Sequence, residues 1–187
     1  MALRSRALFW LAAVIVMGHG AFAAAADDPC AGFKWNVTQE RALFSKAPES
    51  AAAGHDAASA PVMKPEKLYQ LSLSPQDGVK FVLPPGKKAL SDGAFAGLVH
   101  LQVPAAGPYR ISLDQAFWVD VVNQQKLIDA TDFTGASGCS APHKIVQFNL
   151  PAGGDLMLQL SGTAKDHVRV TLTPAPPAVS APASAGH

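Results

Sequence analysis

The chain has few charged residues, and this shortage excludes one class of partner. Only 16% of its 187 residues are charged, and 15 Lys and Arg against 14 Asp and Glu leave a formal net charge of +1. A nucleic-acid-binding protein is expected to carry a basic excess or stripe, whereas the longest basic run here is the pair Lys87 and Lys88. We therefore expect no nucleic-acid partner. The chain also lacks phosphate-binding and dinucleotide-binding glycine motifs and the G-x-S-x-G nucleophile elbow.

Long hydrophobic runs are also scarce, and the one that exists lies at the start of the chain. Arg4 and Arg6 precede an apolar stretch at residues 7–17, and small residues follow at 21–26 (AFAAAA). This order predicts a secretory signal peptide over residues 1–26. The apolar stretch is short for a transmembrane helix, which needs about 20 apolar residues, and no later run is longer. We expect a periplasmic or secreted protein with no membrane span in the mature chain.

Cysteine is limited to two residues, Cys30 and Cys139. An even number of cysteines in an exported protein favours a disulfide, because the compartment outside the inner membrane is oxidising. The alternative is a pair of free or metal-binding thiols, which the lack of a C-x-x-C motif disfavours. A bond between them would attach the N-terminal segment to the body of the protein.

Composition predicts how the rest of the chain is organised. Residues 27–66 are predicted to contain a short N-terminal helix, with Asn36 as its N-cap and Gln39 reaching back as in a capping box. An Ala/Pro-rich linker follows within that range, at residues 47–65 (APESAAAGHDAASAPVMKP), and we expect it to be extended and mobile. Residues 174–187 (PAPPAVSAPASAGH) are predicted to form a disordered tail.

Residues 67–173 carry the strongest structural signal, an alternation of apolar and polar side chains with a period of two. This alternation is typical of half-buried strands, and turn residues divide it into runs spaced about 10 residues apart. It predicts an all-β domain: an antiparallel β-sandwich or jelly roll of about 8–9 strands with the short N-terminal helix outside it. The clearest runs lie at residues 69–73, 79–83, 99–103, 109–113, 117–121, 146–150, 156–160 and 168–172.

Four segments resemble a family of small exported proteobacterial proteins: residues 30–44 (CAGFKWNVTQERALF), 83–98 (LPPGKKALSDGAFAGL), 117–122 (FWVDVV) and 138–153 (GCSAPHKIVQFNLPAG). The likeness covers nearly all of the mature chain. Some members of that family carry a homogentisate 1,2-dioxygenase label, which implies a metal-dependent oxygenase. The end of the chain also resembles the bacterial pre-peptidase C-terminal domain, with a G-x-Y-x-[IV] strand at 107–111 and an L-P-A-G turn at 150–153. That topology implies a β-sandwich accessory or binding module.

The oxygenase label can be tested against the histidines. Non-haem iron oxygenases usually hold iron with two histidines and a carboxylate. His100, His143 and His167 fall in the predicted β-domain, on separate strands or strand ends, and are the candidate metal ligands. The alternative is that His100 and His167 are ordinary polar residues on outward strand faces. We expect no cofactor in a binding protein, and iron if the oxygenase alternative holds.

The strand around Trp118 is apolar on both faces, so a second layer or a ligand must account for its outer face. The N-terminal helix, with Phe33 and Trp35, is one candidate cover. The other possibility is that Trp118 lines a ligand surface with Asp120 and Arg110, because aromatic and polar groups converge in many binding sites. Such a surface would suit an envelope sugar or peptide.

Together these observations predict an exported periplasmic β-sandwich that acts as a non-catalytic binding or accessory protein, with an unknown ligand. The metal-dependent oxygenase of the family label is one alternative. A purely structural component of the envelope is the other.

Overall fold

The computed structural model describes residues 28–87 and 93–176, which contain one α-helix and 12 β-strands in two mixed sheets. The predicted all-β sandwich with a short helix is confirmed. The predicted signal peptide and residues 177–187 of the predicted tail lie outside the described residues. The elements are α1 (Thr38–Phe44), β1 (Glu49–Ala52), β2 (Val62–Met63), β3 (Leu68–Ser72), β4 (Ser74–Pro75), a 3-10 helix (Gln76–Gly78), β5 (Phe95–Leu101), β6 (Gly107–Leu113), β7 (Trp118–Asn123), β8 (Lys126–Ile128), β9 (Ala130–Gly135), β10 (Lys144–Leu150), β11 (Leu156–Thr163) and β12 (His167–Pro174).

The two sheets are named here sheet A and sheet B. Sheet A has the strand order β1-β3-β12-β6-β10-β9, and sheet B has the order β2-β5-β11-β7-β8, with β4 also paired to β5. The pairs β1 with β3 and β2 with β5 are parallel, and the other pairs are antiparallel. The last two strands of the chain, β11 and β12, therefore lie in the middle of their sheets.

The main core lies between the sheets and follows from the predicted alternation. Ile111, Leu158 and Leu172 face inward from three different strands and are fully buried. Burial of a side chain of this size stabilises a fold by about 1.5–3 kcal/mol. No helix of the described residues is long and apolar enough to cross a membrane.

Residues 47–65 are not the mobile linker that their composition predicts. They supply β1 and β2, each an edge strand parallel to its neighbour. β1 consists mostly of small residues and β2 is only two residues long, so neither strand carries a period-two signal. The backbone N–H of Ala53 donates to Ser72 O and that of Gly54 to Leu98 O, both at 2.9 Å. A Cβ on Gly54 would lie 2.6 Å from the backbone of Ala60, so this turn requires glycine.

The run at residues 79–83 is predicted as a strand but is irregular in the structure. It covers the outer face of sheet B and forms a second, smaller core there with residues such as Leu98, Val122 and Met157. The side chain of Gln159 is fully buried in β11 and makes hydrogen bonds to this run that a neighbouring strand would otherwise make. Its Oε1 accepts from Val82 N at 2.8 Å, and its Nε2 donates to Leu83 O at 3.0 Å.

The N-terminal helix forms, but its first turn differs from the predicted capping box. Val37, not Asn36, is the N-cap residue. The chain enters the helix one residue later because Asn36 makes an Asx turn, in which its Oδ1 accepts from Thr38 N at 2.9 Å. The Gln39 side chain points away from the cap and donates to Glu66 Oε1 at 3.3 Å.

The disulfide between Cys30 and Cys139 is present, which confirms the prediction, with 109 residues of sequence separation. It joins the segment before α1 to the loop between β9 and β10. Helix α1 itself contacts β12 in sheet A.

Candidate ligand-binding cleft

The candidate site arises where the chain crosses from one sheet to the other. β8 follows β7 through a tight turn at Gln124 and Gln125, which have φ angles of 47° and 63°. It pairs with β7 only at Val121, Val122 and Asn123. The chain then leaves sheet B and continues as β9, the edge strand of sheet A. A cleft of about 340 Å³ opens at this side of the sandwich, lined by residues of β7 to β10 and by Gly86.

The walls of the cleft are mainly apolar. Val119, Val146 and Phe148 belong to the main core and form its buried floor. Phe133 on β9 stands at the rim with 64% of its surface exposed. A second cavity, more open to solvent, includes His143, and Phe133 and Lys144 line both cavities.

Trp118 and Asp120 bring the first polar groups into the cleft. Because they lie two residues apart on β7, their side chains share a face, and Trp118 Nε1 donates to Asp120 Oδ1 at 3.0 Å. The backbone N–H of Gly86 donates to Asp120 Oδ2 at 3.0 Å. Burial raises the pKa of Asp120 above 3.8, and the hydrogen bonds from Gly86 and Trp118 oppose that rise.

Lys144, the first residue of β10, brings a cation to the same place. Its Nζ donates to Phe117 O at 2.6 Å and lies 5.9 Å from the centre of the Trp118 ring. Burial lowers the pKa of Lys144 below 10.5; the positive charge of Lys87 lowers it further, and Asp120 opposes the change. A carboxyl group with a raised pKa and an amine with a lowered pKa thus border one cleft, as is common at functional sites.

Arg110, the third predicted ligand residue, does not join Trp118 and Asp120. It lies on the outer face of sheet A, where its Nη1 donates to Glu40 Oε1 at 3.2 Å and to Asn36 O at 3.1 Å. Its guanidinium stacks 4.6 Å from the centre of the Trp35 ring. The alternation of apolar and polar residues does not indicate which of the two sheets a strand joins. The sequence therefore could not show that Arg110 and Trp118 lie in different sheets.

The N-terminal helix does not cover Trp118. Helix α1 and Trp35 contact sheet A, whereas Trp118 belongs to sheet B and keeps 38% of its surface exposed. The irregular run at residues 79–83, not the helix, covers the neighbouring part of that outer face. The helix hypothesis for the second layer was therefore wrong.

The three candidate metal ligands lie apart. His100 is on β5 in sheet B, with Nδ1 3.2 Å from Asp155 Oδ1 and Nε2 3.1 Å from Ala57 O. His167 begins β12 in sheet A and its Nδ1 lies 2.7 Å from Asp166 Oδ1. His143 precedes β10. Within residues 28–87 and 93–176, no group of three His, Cys, Asp or Glu side chains is arranged to hold a metal ion. These histidines do not fit the iron-binding set that the oxygenase label implies.

Three residues of the cleft, Lys144, Phe133 and Gly86, were not predicted from the sequence. For Lys144 a signal existed, because alternation along β10 (KIVQFNL) puts it on the same face as the core residues Val146 and Phe148. A cation in phase with core residues is unusual and marks either a strand end or a site. No comparable signal marks Phe133 or Gly86, whose places in the cleft depend on the crossing between the sheets.

No family model matches the chain, and no curated protein matches it at a significant level. The resemblance to the exported proteobacterial family and its dioxygenase label stays a prediction.

Proposed function

We propose that this is an exported periplasmic binding or accessory protein, non-catalytic, whose ligand enters the cleft beside Trp118. The proposal depends on one observation: an exposed indole, a carboxylate and an ammonium group converge over an apolar floor in a cleft of about 340 Å³. Ligand sites in proteins are usually concave and mostly apolar, with a few convergent polar groups, and have volumes of about 300–1,000 Å³.

The contacts of the polar groups support an oriented binding site. Two hydrogen bonds hold the Asp120 carboxylate, and one holds the Lys144 ammonium on Phe117 O. Each group is thereby fixed in one orientation at the wall of the cleft. Fixed polar groups of this kind orient a bound molecule, and the exposed indole offers a flat surface for a sugar ring or a peptide group.

The cysteine bond supports the exported location. The disulfide between Cys30 and Cys139 is of a kind that persists in oxidising compartments such as the periplasm. An exported binding protein meets sugars and peptides of the cell envelope, which are the ligand classes that an aromatic and polar cleft suits.

Tryptophan fluorescence tests the proposal directly. Residues 27–187 contain two tryptophans, so a Trp35→Phe variant leaves Trp118 as the only reporter. We expect its emission to change saturably on titration with soluble glycan and peptide fragments of the cell wall. A Lys144→Met change should weaken the response, whereas Lys165→Met, at an exposed turn between β11 and β12, should not.

Two results would contradict the proposal. The first is an unchanged Trp118 emission with all fragments up to millimolar concentration. The second is near-stoichiometric iron in untagged protein, which would favour the oxygenase alternative instead.

A further inference from the structure

Within residues 28–87 and 93–176, the backbone groups at the edge of β7 beside the cleft have no strand next to them. In a two-residue hairpin, the residues that flank the turn form a hydrogen-bonded pair, and the pattern repeats every second residue. Asn123 pairs with Lys126 and Val121 with Ile128, so the backbone groups of these β7 residues point toward β8. By the same alternation, the N–H and C=O groups of Val119 and Phe117 point to that side.

β8 has already left the sheet at that point. Its pairing ends at Ile128, and no strand of the described residues lies beside Phe117, Trp118 and Val119 on that side. Phe117 O accepts from Lys144 Nζ, which confirms the direction in which this edge faces. Val119, two residues on, lines the cleft. Its N–H and C=O are spaced as one rung of an antiparallel ladder.

We propose that the cleft takes the C-terminal end of an extended peptide, which adds to β7 as an antiparallel strand in line with β8 and places its carboxylate against Lys144. This inference rests on the proposed function and names its ligand class. A strand that runs in the direction of β8 passes Val119 first and Phe117 second. Its C-terminus therefore arrives where the Lys144 ammonium lies.

Charge complementarity supports a carboxylate at that end. Lys144 donates one of its three N–H groups to Phe117 O, which leaves two for an anion. Lys87 adds a second positive charge close enough to affect Lys144. Recognition of a C-terminal carboxylate together with strand addition is an established way for proteins to bind peptides.

The register predicts a side-chain preference. If the last peptide residue lies opposite Phe117, the residue two positions earlier lies opposite Val119. Cross-strand partners share a face, so its side chain enters the apolar floor formed by Val146 and Phe148. The residue between them lies opposite Trp118 and points toward the indole. We expect an apolar residue at the third position from the C-terminus.

The backbone contacts favour a peptide over a glycan. A glycan could use the indole of Trp118 and the carboxylate of Asp120, but it has no N–H and C=O pair with the spacing of Val119. A peptide strand supplies both groups at that rung.

The test uses pools of acetylated hexapeptides with leucine third from the end and the other positions randomised. We expect pools with a free C-terminus to bind the full mature protein, and amidated pools to bind at least ~10-fold more weakly. N-methylation of the leucine amide, which faces Val119 O, should weaken binding by at least ~10-fold. N-methylation of the next amide, which faces away from β7, should leave binding within about twofold.

Two further measurements distinguish strand addition to β7 from non-specific binding. Amide hydrogen exchange at Val119 should be fast in the free protein and at least ~10-fold slower with bound peptide. Lys144→Met should remove the preference for a free carboxylate, whereas Lys165→Met should keep it. The preference is the ratio of the affinities of one variant for the acid and amide pools, so it can be measured even if that variant is partly destabilised.

The proposal is overturned if acid and amide pools bind equally to the native protein, if the two N-methyl positions have equal effects, or if no pool binds. A Trp118 response to glycan fragments without any response to peptides would overturn this inference alone. No response to either class would overturn the proposed function as well.

Discussion

Arg110 and Glu40 join the N-terminal helix to sheet A through an ion pair that is almost completely removed from water. Arg110 Nη1 lies 3.2 Å from Glu40 Oε1, and the two side chains are 8% and 1% exposed. Trp35 stacks on the guanidinium, and Thr173 Oγ1 donates to the same carboxylate oxygen at 3.4 Å. The pair thus connects helix α1 to the centre of sheet A.

Loss of one partner of this pair should be strongly destabilising. We expect Arg110→Met to lower the free energy of unfolding by about 3–5 kcal/mol, because it leaves the buried Glu40 carboxylate unpaired. The double change Glu40→Met and Arg110→Met should recover much of that loss. Urea unfolding measures both. Arg41→Met, in the exposed pair with Asp28, is the control and should barely move the midpoint. A wild-type midpoint for Arg110→Met would contradict the assignment.

Removal of the disulfide should also reduce stability. The bond between Cys30 and Cys139 spans 109 residues, and closure of a loop of this length stabilises a fold by about 4–5 kcal/mol in the chain-entropy model. We expect a double Cys→Ala variant to lose stability of that order in urea unfolding. A reductant should destabilise the native protein and leave the variant unaffected. If thiol counts show full reduction and the midpoint does not move, the expectation fails.

Asp120 should titrate at a higher pH than an ordinary aspartate. Burial raises its pKa above 3.8, so just above pH 3.8 the folded protein keeps a proton that the unfolded chain has lost. Stability should therefore fall as pH rises from 3.8 through the raised pKa, and Asp120→Asn should remove this part of the slope. Carboxyl 13C shifts and urea unfolding at several pH values measure the two effects.

Asp132 provides an internal control for that titration. A hydrogen bond from Lys34 lowers the pKa of Asp132, with a further contribution from Phe133 N, so it should titrate below 3.8. In the same 13C spectra, the titration midpoint of Asp120 should lie above 3.8 and that of Asp132 below it. A midpoint for Asp120 at or below 3.8 would contradict the expected rise of its pKa.

Gly86 should tolerate no side chain without a change at Trp118. A Cβ there would lie 3.1 Å from Asp120 Oδ1 and 3.4 Å from Trp118 Nε1, so the carboxylate that accepts the indole hydrogen bond must shift by a few tenths of an ångström. We expect Gly86→Ala to weaken the hydrogen bond from the indole and to shift its N–H proton resonance upfield. Gly78→Ala is the matched control, because a Cβ at Gly78 meets no atom within 4 Å. An unchanged indole resonance in Gly86→Ala would contradict this geometry.

The strands that could be predicted from the sequence are those with one face packed on the core. Apolar and polar residues alternate along β6, β10 and β12 because each strand lies between two neighbours and turns one face to the core. The structure confirms the runs predicted for these three strands. β1 could not be predicted because its residues are mostly small, and β2 because a strand of two residues is too short to show an alternation. The run at 79–83 alternates for a different reason, since it packs on a sheet as a covering segment and Gln159 satisfies its amides.

The candidate site was predictable only in part. Trp118 and Asp120 were found because apolar residues on both faces of one strand require an explanation, and the structure places the two in contact. Arg110 was grouped with them because sequence spacing carries no information on sheet membership. Lys144 and Phe133 line the same cleft as Trp118 because the chain passes from sheet B to sheet A after Ile128. No local sequence pattern indicates such a change of sheet.

The central positions of β11 and β12 have a consequence for biosynthesis. In each sheet the central strand is synthesised after all of its neighbours, so sheet B is continuous only when residue 163 has been synthesised and sheet A only when residue 174 has. A nascent chain that ends before residue 156 lacks the central strand of each sheet, and long-range strand pairings of this kind form slowly. Completion of each sheet therefore depends on a strand that is synthesised after all of that sheet's other strands.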